Sequence, residues 1–222
     1  MFSFDHMTVL FIAAWFVQMG AHEGAHAYVA DWCGDDTAHL QGKRSFNPFA
    51  HIDVNSPSSL IFAVGAPVVT ALMGLIPMGM AWVPVTPRKL KGWRRDLALV
   101  SIAGPAANFA VAALCLPVHM TLSAVGDAPG GVLQVLDDLS YAVFLTSLVY
   151  GIFNLIPIPP LDGSKVLHYF LGPWGRGVMD QLQPYGMFIL VAVFMGGPGS
   201  GIIHTPLQWA MQLWVWAGLV LL

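Results

Sequence analysis

Charge is what this chain has least of. Asp, Glu, Lys and Arg together make up 9% of its 222 residues, while 56% are hydrophobic and the mean hydropathy is +0.67. A soluble domain carries about 25% charged residues, so this composition excludes an ordinary water-facing surface and reads as a membrane protein. No basic run is interleaved with aromatics, which argues against a nucleic-acid partner. The net charge of -3 rests on too few groups to indicate any other. Cysteine is nearly missing: Cys33 and Cys115 are far apart, match no metal or disulfide spacing, and read as free thiols. A basic leader is lacking too, since MFSFDHM holds no Lys or Arg and the apolar run after it is long enough to remain a helix. No cleaved signal peptide is therefore expected. Glutamate is scarcest of all, with Glu23 alone.

Apolar sequence fills the chain instead. Five segments, 7–30, 97–125, 139–158, 185–203 and 206–222, are long enough to cross a bilayer core of ~30 Å at about 1.5 Å per residue. A sixth, 59–85, is interrupted by Gly65, Pro67, Gly74, Pro77, Gly79 and Pro84. Such breakers predict a re-entrant or kinked element buried against protein. The polar stretches 31–57 and 87–96 are too short to fold alone, and there is no internal repeat or low-complexity tract. The expected fold is all-α and polytopic, a single integral membrane domain over 1–222. A re-entrant, partly strand-like region at about 45–85 follows the first helix, and residues 164–222 supply C-terminal helices.

Two histidines and the one glutamate lie inside the first apolar span, in GAHEGAHAYVA. An ionisable group at that depth costs roughly 2.5–3.5 kcal/mol on insertion scales, so it usually serves a function. His22-Glu23-Gly24-Ala25-His26 is H-E-x-x-H: on a helix, positions i and i+4 share a face, so both imidazoles reach one zinc while the glutamate reaches a water beside it. A packing seam of two hydrogen-bonded histidines would not need the carboxylate. Catalytic zinc usually takes three protein ligands, and the best third candidate is Asp162 in NLIPIPPLDG, where Pro159 and Pro160 open the chain end. Taken alone, Asp-Gly after Pro-Pro is also an ordinary helix-ending turn. In NPFAHID, His51 and Asp53 fit either a metal or proton-handling pair or a polar turn that satisfies its own backbone. AGPAAN, residues 103–108, reads as a close helix contact through small residues, with Asn108 as interhelical glue.

Together these motifs resemble the site-2 protease family of intramembrane zinc metalloproteases: HEGAH at 22–26, NPFAHID at 47–53, AGPAAN at 103–108, and N-x-x-P-x-x-x-x-D-G formed by Asn154, Pro157, Asp162 and Gly163. The resemblance covers about 7–163, which would be the protease core. It implies one Zn2+ per chain held by His22, His26 and Asp162, Glu23 as general base, and Asn154 positioning the scissile backbone or the oxyanion. Relatives often carry a PDZ or CBS domain, for which 222 residues leave no room. Selection of substrate would then fall to the membrane core or to a regulatory membrane partner.

Zinc binding makes a topological demand, because all three ligands must reach one depth. Were 59–85 to cross fully, three crossings would separate the C-terminal end of the first span from Asp162 and put them on opposite faces. If it enters and returns, two crossings separate them and the ligands converge. All nine basic residues, Lys43, Arg44, Arg88, Lys89, Lys91, Arg94, Arg95, Lys165 and Arg176, then fall on one face, which the positive-inside rule makes cytoplasmic. The expected activity is hydrolysis of a peptide bond within or near a transmembrane segment of a single-span or other membrane protein, as in regulated intramembrane proteolysis. The expected setting is the lipid bilayer of a prokaryotic plasma membrane, with the site nearer the cytoplasmic face. Two rivals are a non-catalytic zinc-holding scaffold, which would not need Glu23, and a metal transporter, which should space polar residues along several spans.

Overall fold

A computed structural model describes residues 5–125, 130–195 and 200–219. Among the described residues there are ten α-helices and no strand: α1 (His6–Trp32), α2 (Thr37–Leu40), α3 (Pro57–Leu60), α4 (Ala66–Leu72), α5 (Trp93–Val125), α6 (Val132–Asn154), α7 (Asp162–Phe170), α8 (Pro173–Leu182), α9 (Gly186–Met195) and α10 (Ser200–Leu219). α1, α5 and α6 pack mutually, α7 rests on α5, and α10 closes the outer side of α5 and α6. Small residues let these backbones approach: Ala14, Ala112, Cys115 and Ala142 are buried in one cluster with Phe144 and Trp214. Large apolar side chains such as Leu99, Ile102, Leu114 and Val118 point outward from α5.

Among the described residues, two helices, α5 and α6, are long and apolar enough to cross a membrane. α1 has 27 residues, about 40 Å at 1.5 Å per residue, and is made less apolar by Gln18, His22, Glu23 and His26. Asp5 starts it by accepting from the backbone N–H of Thr8 at 2.8 Å, which satisfies one of the otherwise unpaired first-turn donors. α6 begins seven residues before the apolar run that signals it. Its early aspartates are held there by other helices, Asp137 by His119 of α5 at 2.7 Å and Asp138 by His6 of α1 at 2.9 Å. The expected break between the last two apolar segments, at 203–206, is not where the chain divides: α10 runs unbroken through Pro206. α9 ends at Met195 and α10 begins at Ser200, and residues 196–199, Gly-Gly-Pro-Gly, lie outside the described residues.

The expected strand-like region forms no strand among the described residues. The chain turns through the 3-10 segment Pro48–His51, enters α3, passes a π-helical turn at Ile61–Gly65 into α4, reverses near Gly74 (φ +75) and returns as an extended, unladdered stretch over 76–86. Pro77 and Pro84 carry no backbone donor, and Gly79 and Thr86 donate to the Tyr150 hydroxyl and the Asp35 carboxylate rather than to a neighbouring strand. The two legs lie side by side, with Met80 N–H donating to Phe62 O at 2.9 Å. The outgoing leg meets α1 midway, where Trp15 Nε1 donates to Ala63 O at 2.9 Å, and Ile76 near the reversal packs into the cluster that contains Ala14. The return leg ends beside the C-terminus of α1, where Thr86 N–H donates to Asp35 at 2.5 Å. The excursion therefore starts and finishes at the same end of α1.

Candidate metal centre and active site

That return path brings the distant motif residues together. His22 and His26, one turn apart on α1, place their Nε2 atoms 3.0 Å from one another. Asp162, the first residue of α7, places Oδ2 3.2 Å from both. The three residues are each 7–8% exposed. Asp162 sits at a helix N-terminus, where the positive end of the helix dipole favours a carboxylate. Lys165, one turn on, donates to its other oxygen, Oδ1, at 3.1 Å. Gly163 is what lets α7 fold back here: a Cβ would stand 2.7 Å from Ile156 O and closer still to the carbonyl of Leu155.

These donors fit a zinc ion. Bonds of about 2.0–2.1 Å at tetrahedral angles separate ligand atoms by roughly 3.3 Å. The observed separations are 3.0, 3.2 and 3.2 Å. Two imidazoles and one carboxylate are also a donor set that catalytic zinc uses while keeping a fourth position open. The ring nitrogens facing away from this point are tied back to α5. His26 Nδ1–H donates to Val100 O at 2.6 Å, and His22 Nδ1 lies 3.1 Å from the side-chain amide nitrogen of Asn108.

Beside the three donors opens a cavity of about 620 Å³. Glu23, buried with the histidines, lines its floor with them and Asp162; Trp82, Val83 and Val85 of the return leg and Trp93, Leu97 and Val100 form apolar walls. Its mouth is polar, with Lys165, and with His168 of α7 facing Asp180 of α8 at 3.3 Å. The other expected residues lie apart. Asn154 ends α6, donates to Tyr150 O at 3.0 Å and does not line the cavity. His51 is buried against Ser45 O at 2.8 Å, and exposed Asp53 accepts from Asn55 N–H at 2.9 Å. Both thus serve the backbone of their own turn. The sequence reading missed that AGPAAN touches the imidazoles directly. Gly104 faces both rings, and the signal was there in spacing: Gly104 and Asn108, like His22 and His26, are i and i+4.

Paired imidazoles, a carboxylate and a neighbouring glutamate at the floor of an apolar cavity form a candidate metallohydrolase site on a helical bundle. The profile of peptidase family M50 matches residues 132–197. A protein of Bacillus subtilis carried under the provisional name zinc metalloprotease YwhC is 32% identical over 196 residues, 86% of this chain and 83% of that protein. A Mycobacterium tuberculosis protein, provisionally named zinc metalloprotease Rip2, is 30% identical over 213 residues, 92% of this chain and 74% of that protein. No solved structure matches the chain. The chain belongs to peptidase family M50, the site-2 protease family, and is a metalloprotease.

Proposed function

We propose that this chain is a membrane-embedded zinc endopeptidase that cuts a peptide bond within or near a transmembrane segment of another membrane protein. The observation that carries the reading is the convergence of His22, His26 and Asp162, from two helices far apart in sequence, at spacings that match tetrahedral zinc beside Glu23. His22, His26 and Asp162 are the ligands, and Lys165 occupies the second oxygen of Asp162, leaving the first to the metal. A zinc ion held there would supply Lewis acidity, lowering the pKa of a water towards ~7 and polarising the scissile carbonyl. Glu23 takes the proton of the attacking water and passes it to the leaving amine.

The remaining residues shape access. A substrate helix hides its carbonyls in hydrogen bonds and must unwind to present one. The apolar walls of Trp82, Val83, Val85 and Trp93 receive the unwound segment, and the polar mouth admits water. The extended 76–86 stretch offers backbone groups for such a segment to pair with. Asn154 enters only when a bound substrate reaches past the cavity to the end of α6. The hairpin over 57–86 is re-entrant, and α1, α5 and α6 form spans, whereas the ten residues of α9, about 15 Å, are too few to cross by themselves. The site then lies nearer the face that carries Lys43, Arg44 and the basic cluster 88–95, the cytoplasmic one.

Metal analysis tests this first, because it needs no substrate. Detergent-purified protein should hold about one zinc per chain, and Asp162→Ala should lose it. Glu23→Gln should keep the zinc and fail to cleave. A wild-type protein without zinc after gentle purification refutes the reading, and full zinc retention in Asp162→Ala removes that residue from the ligand set.

A further inference from the structure

The contact between Asn108 and His22 carries more than helix packing. Asn108 is fully buried on α5, and its amide nitrogen lies 3.1 Å from His22 Nδ1 and 3.3 Å from Gln18 Oε1, one turn before His22 on α1. Gln18 is itself 2% exposed, so this chain of three side chains runs through dry protein. Asn108 Oδ1 has no hydrogen-bond partner, an uncommon condition for a buried polar atom. An amide bears a donor at one end and an acceptor at the other, and an imidazole answers to whichever it meets. With the nitrogen towards Nδ1, the ring carries its proton on Nε2, the atom beside Asp162. Turned by 180° about its last torsion, Asn108 puts its oxygen there instead, accepts the Nδ1 proton and leaves Nε2 bare. Gln18, turned likewise, then donates to the same oxygen.

We propose that Asn108, backed by Gln18, is a positioning residue of the metal centre: its amide holds the ring of His22 at Nδ1 and sets which nitrogen is presented to the metal. His26 gets the same service from a fixed acceptor, Val100 O at 2.6 Å. The two histidines therefore differ, one held by a carbonyl that can only accept and the other by an amide that can turn. Groups that orient a metal-bound imidazole in this way typically account for 10–100-fold in metal affinity. The inference rests on the zinc reading above.

Zinc affinity, measured by competition with a chelator of known strength, tests it together with the visible absorption of Co2+-loaded protein. Asn108→Leu keeps the branched outline of the side chain and removes the acceptor; it should bind zinc 10–100-fold more weakly and alter the Co2+ spectrum. Asn108→Asp keeps an acceptor and should bind within about threefold of wild type, a rescue that helix packing alone would not give. Gln18→Leu should fall between them. Folded Asn108→Leu with wild-type affinity overturns the inference, as does Asn108→Asp binding as weakly as Asn108→Leu. If Asn108→Leu does not fold, the comparison of Asn108→Asp and Gln18→Leu with wild type decides on the same terms. Wild-type protein that takes up no zinc overturns the zinc reading itself, whereas zinc uptake indifferent to Asn108 overturns only this step.

Discussion

Adding one methyl group at position 104 should empty the metal centre while leaving the fold standing. An ideal Cβ on Gly104 would lie 2.7 Å from His22 Nε2 and still closer to His26 Nε2, where ordinary contact begins at 3.4 Å. Relief to ordinary contact therefore requires His22 to give by about 0.7 Å and His26 by more. What must move is the far end of two imidazoles, which can swing at modest cost, rather than backbone. The fold loses little, and Gly→Ala inside a helix even returns up to about 1 kcal/mol of propensity. The atoms displaced, however, are the donors, and a site tolerates misplacement of only about 0.5 Å. We expect zinc affinity to fall at least tenfold in Gly104→Ala, about 1.4 kcal/mol, with a melting temperature in detergent close to wild type. Gly177→Ala on α8 is the control: a Cβ there meets nothing within 4 Å. It should raise stability by about 0.5–1 kcal/mol and leave zinc unchanged. Wild-type zinc affinity in Gly104→Ala would refute the reasoning, because the rings would then have room that the packing does not show.

Other consequences concern the walls and the rim. Tyr150 holds the return leg of the hairpin, its hydroxyl accepting from Gly79 N–H at 2.8 Å and donating to Pro77 O at 3.1 Å. Tyr150→Phe leaves these groups unpaired and should destabilise by about 1–3 kcal/mol; an unchanged thermal or denaturant midpoint would contradict that role. At the exposed turn after α1, Lys89 holds the Asp36 carboxyl below its ordinary value of 3.8 by a hydrogen bond and by charge. Because the folded-state value is the lower one, the pair's contribution is present above pH 3.8 and fades as pH falls through the folded value. Asp36→Asn should thus melt slightly lower than wild type at neutral pH, with the gap closing in strong acid and in high salt. A gap that widens on acidification would reverse the assignment.

Local features of this fold were legible, and those set by other parts of the chain were less so. H-E-x-x-H declares its geometry because i and i+4 share a helical face wherever the helix sits. The hairpin over 57–86 was legible as an interruption, because its glycines and prolines forbid a regular helix. Its extended leg could not be told from a strand by composition: what makes a strand is a paired neighbour, and Gly79 and Thr86 spend their donors on Tyr150 and Asp35 instead. The start of α6 was misplaced for a related reason. Asp137 and Asp138 look like loop residues until His119 and His6 are seen opposite them.

The metal centre shows how far spacing reaches before geometry is needed. Gln18, His22 and His26 descend one face of α1 at intervals of four, and Val100, Gly104 and Asn108 descend one face of α5 at the same interval. Packed antiparallel, they meet in order: His26 on Val100, both rings on Gly104, His22 and Gln18 on Asn108. Each α5 residue suits its place by what it offers the ring, a backbone carbonyl, no side chain at all, or an amide with two faces. A shift of four residues in register would set Asn108 against the gap where the rings converge and press its side chain into the donors. The small residues of AGPAAN are therefore not interchangeable packing, and exchanging the positions of Gly104 and Asn108 should abolish zinc binding although composition and helix propensity stay the same.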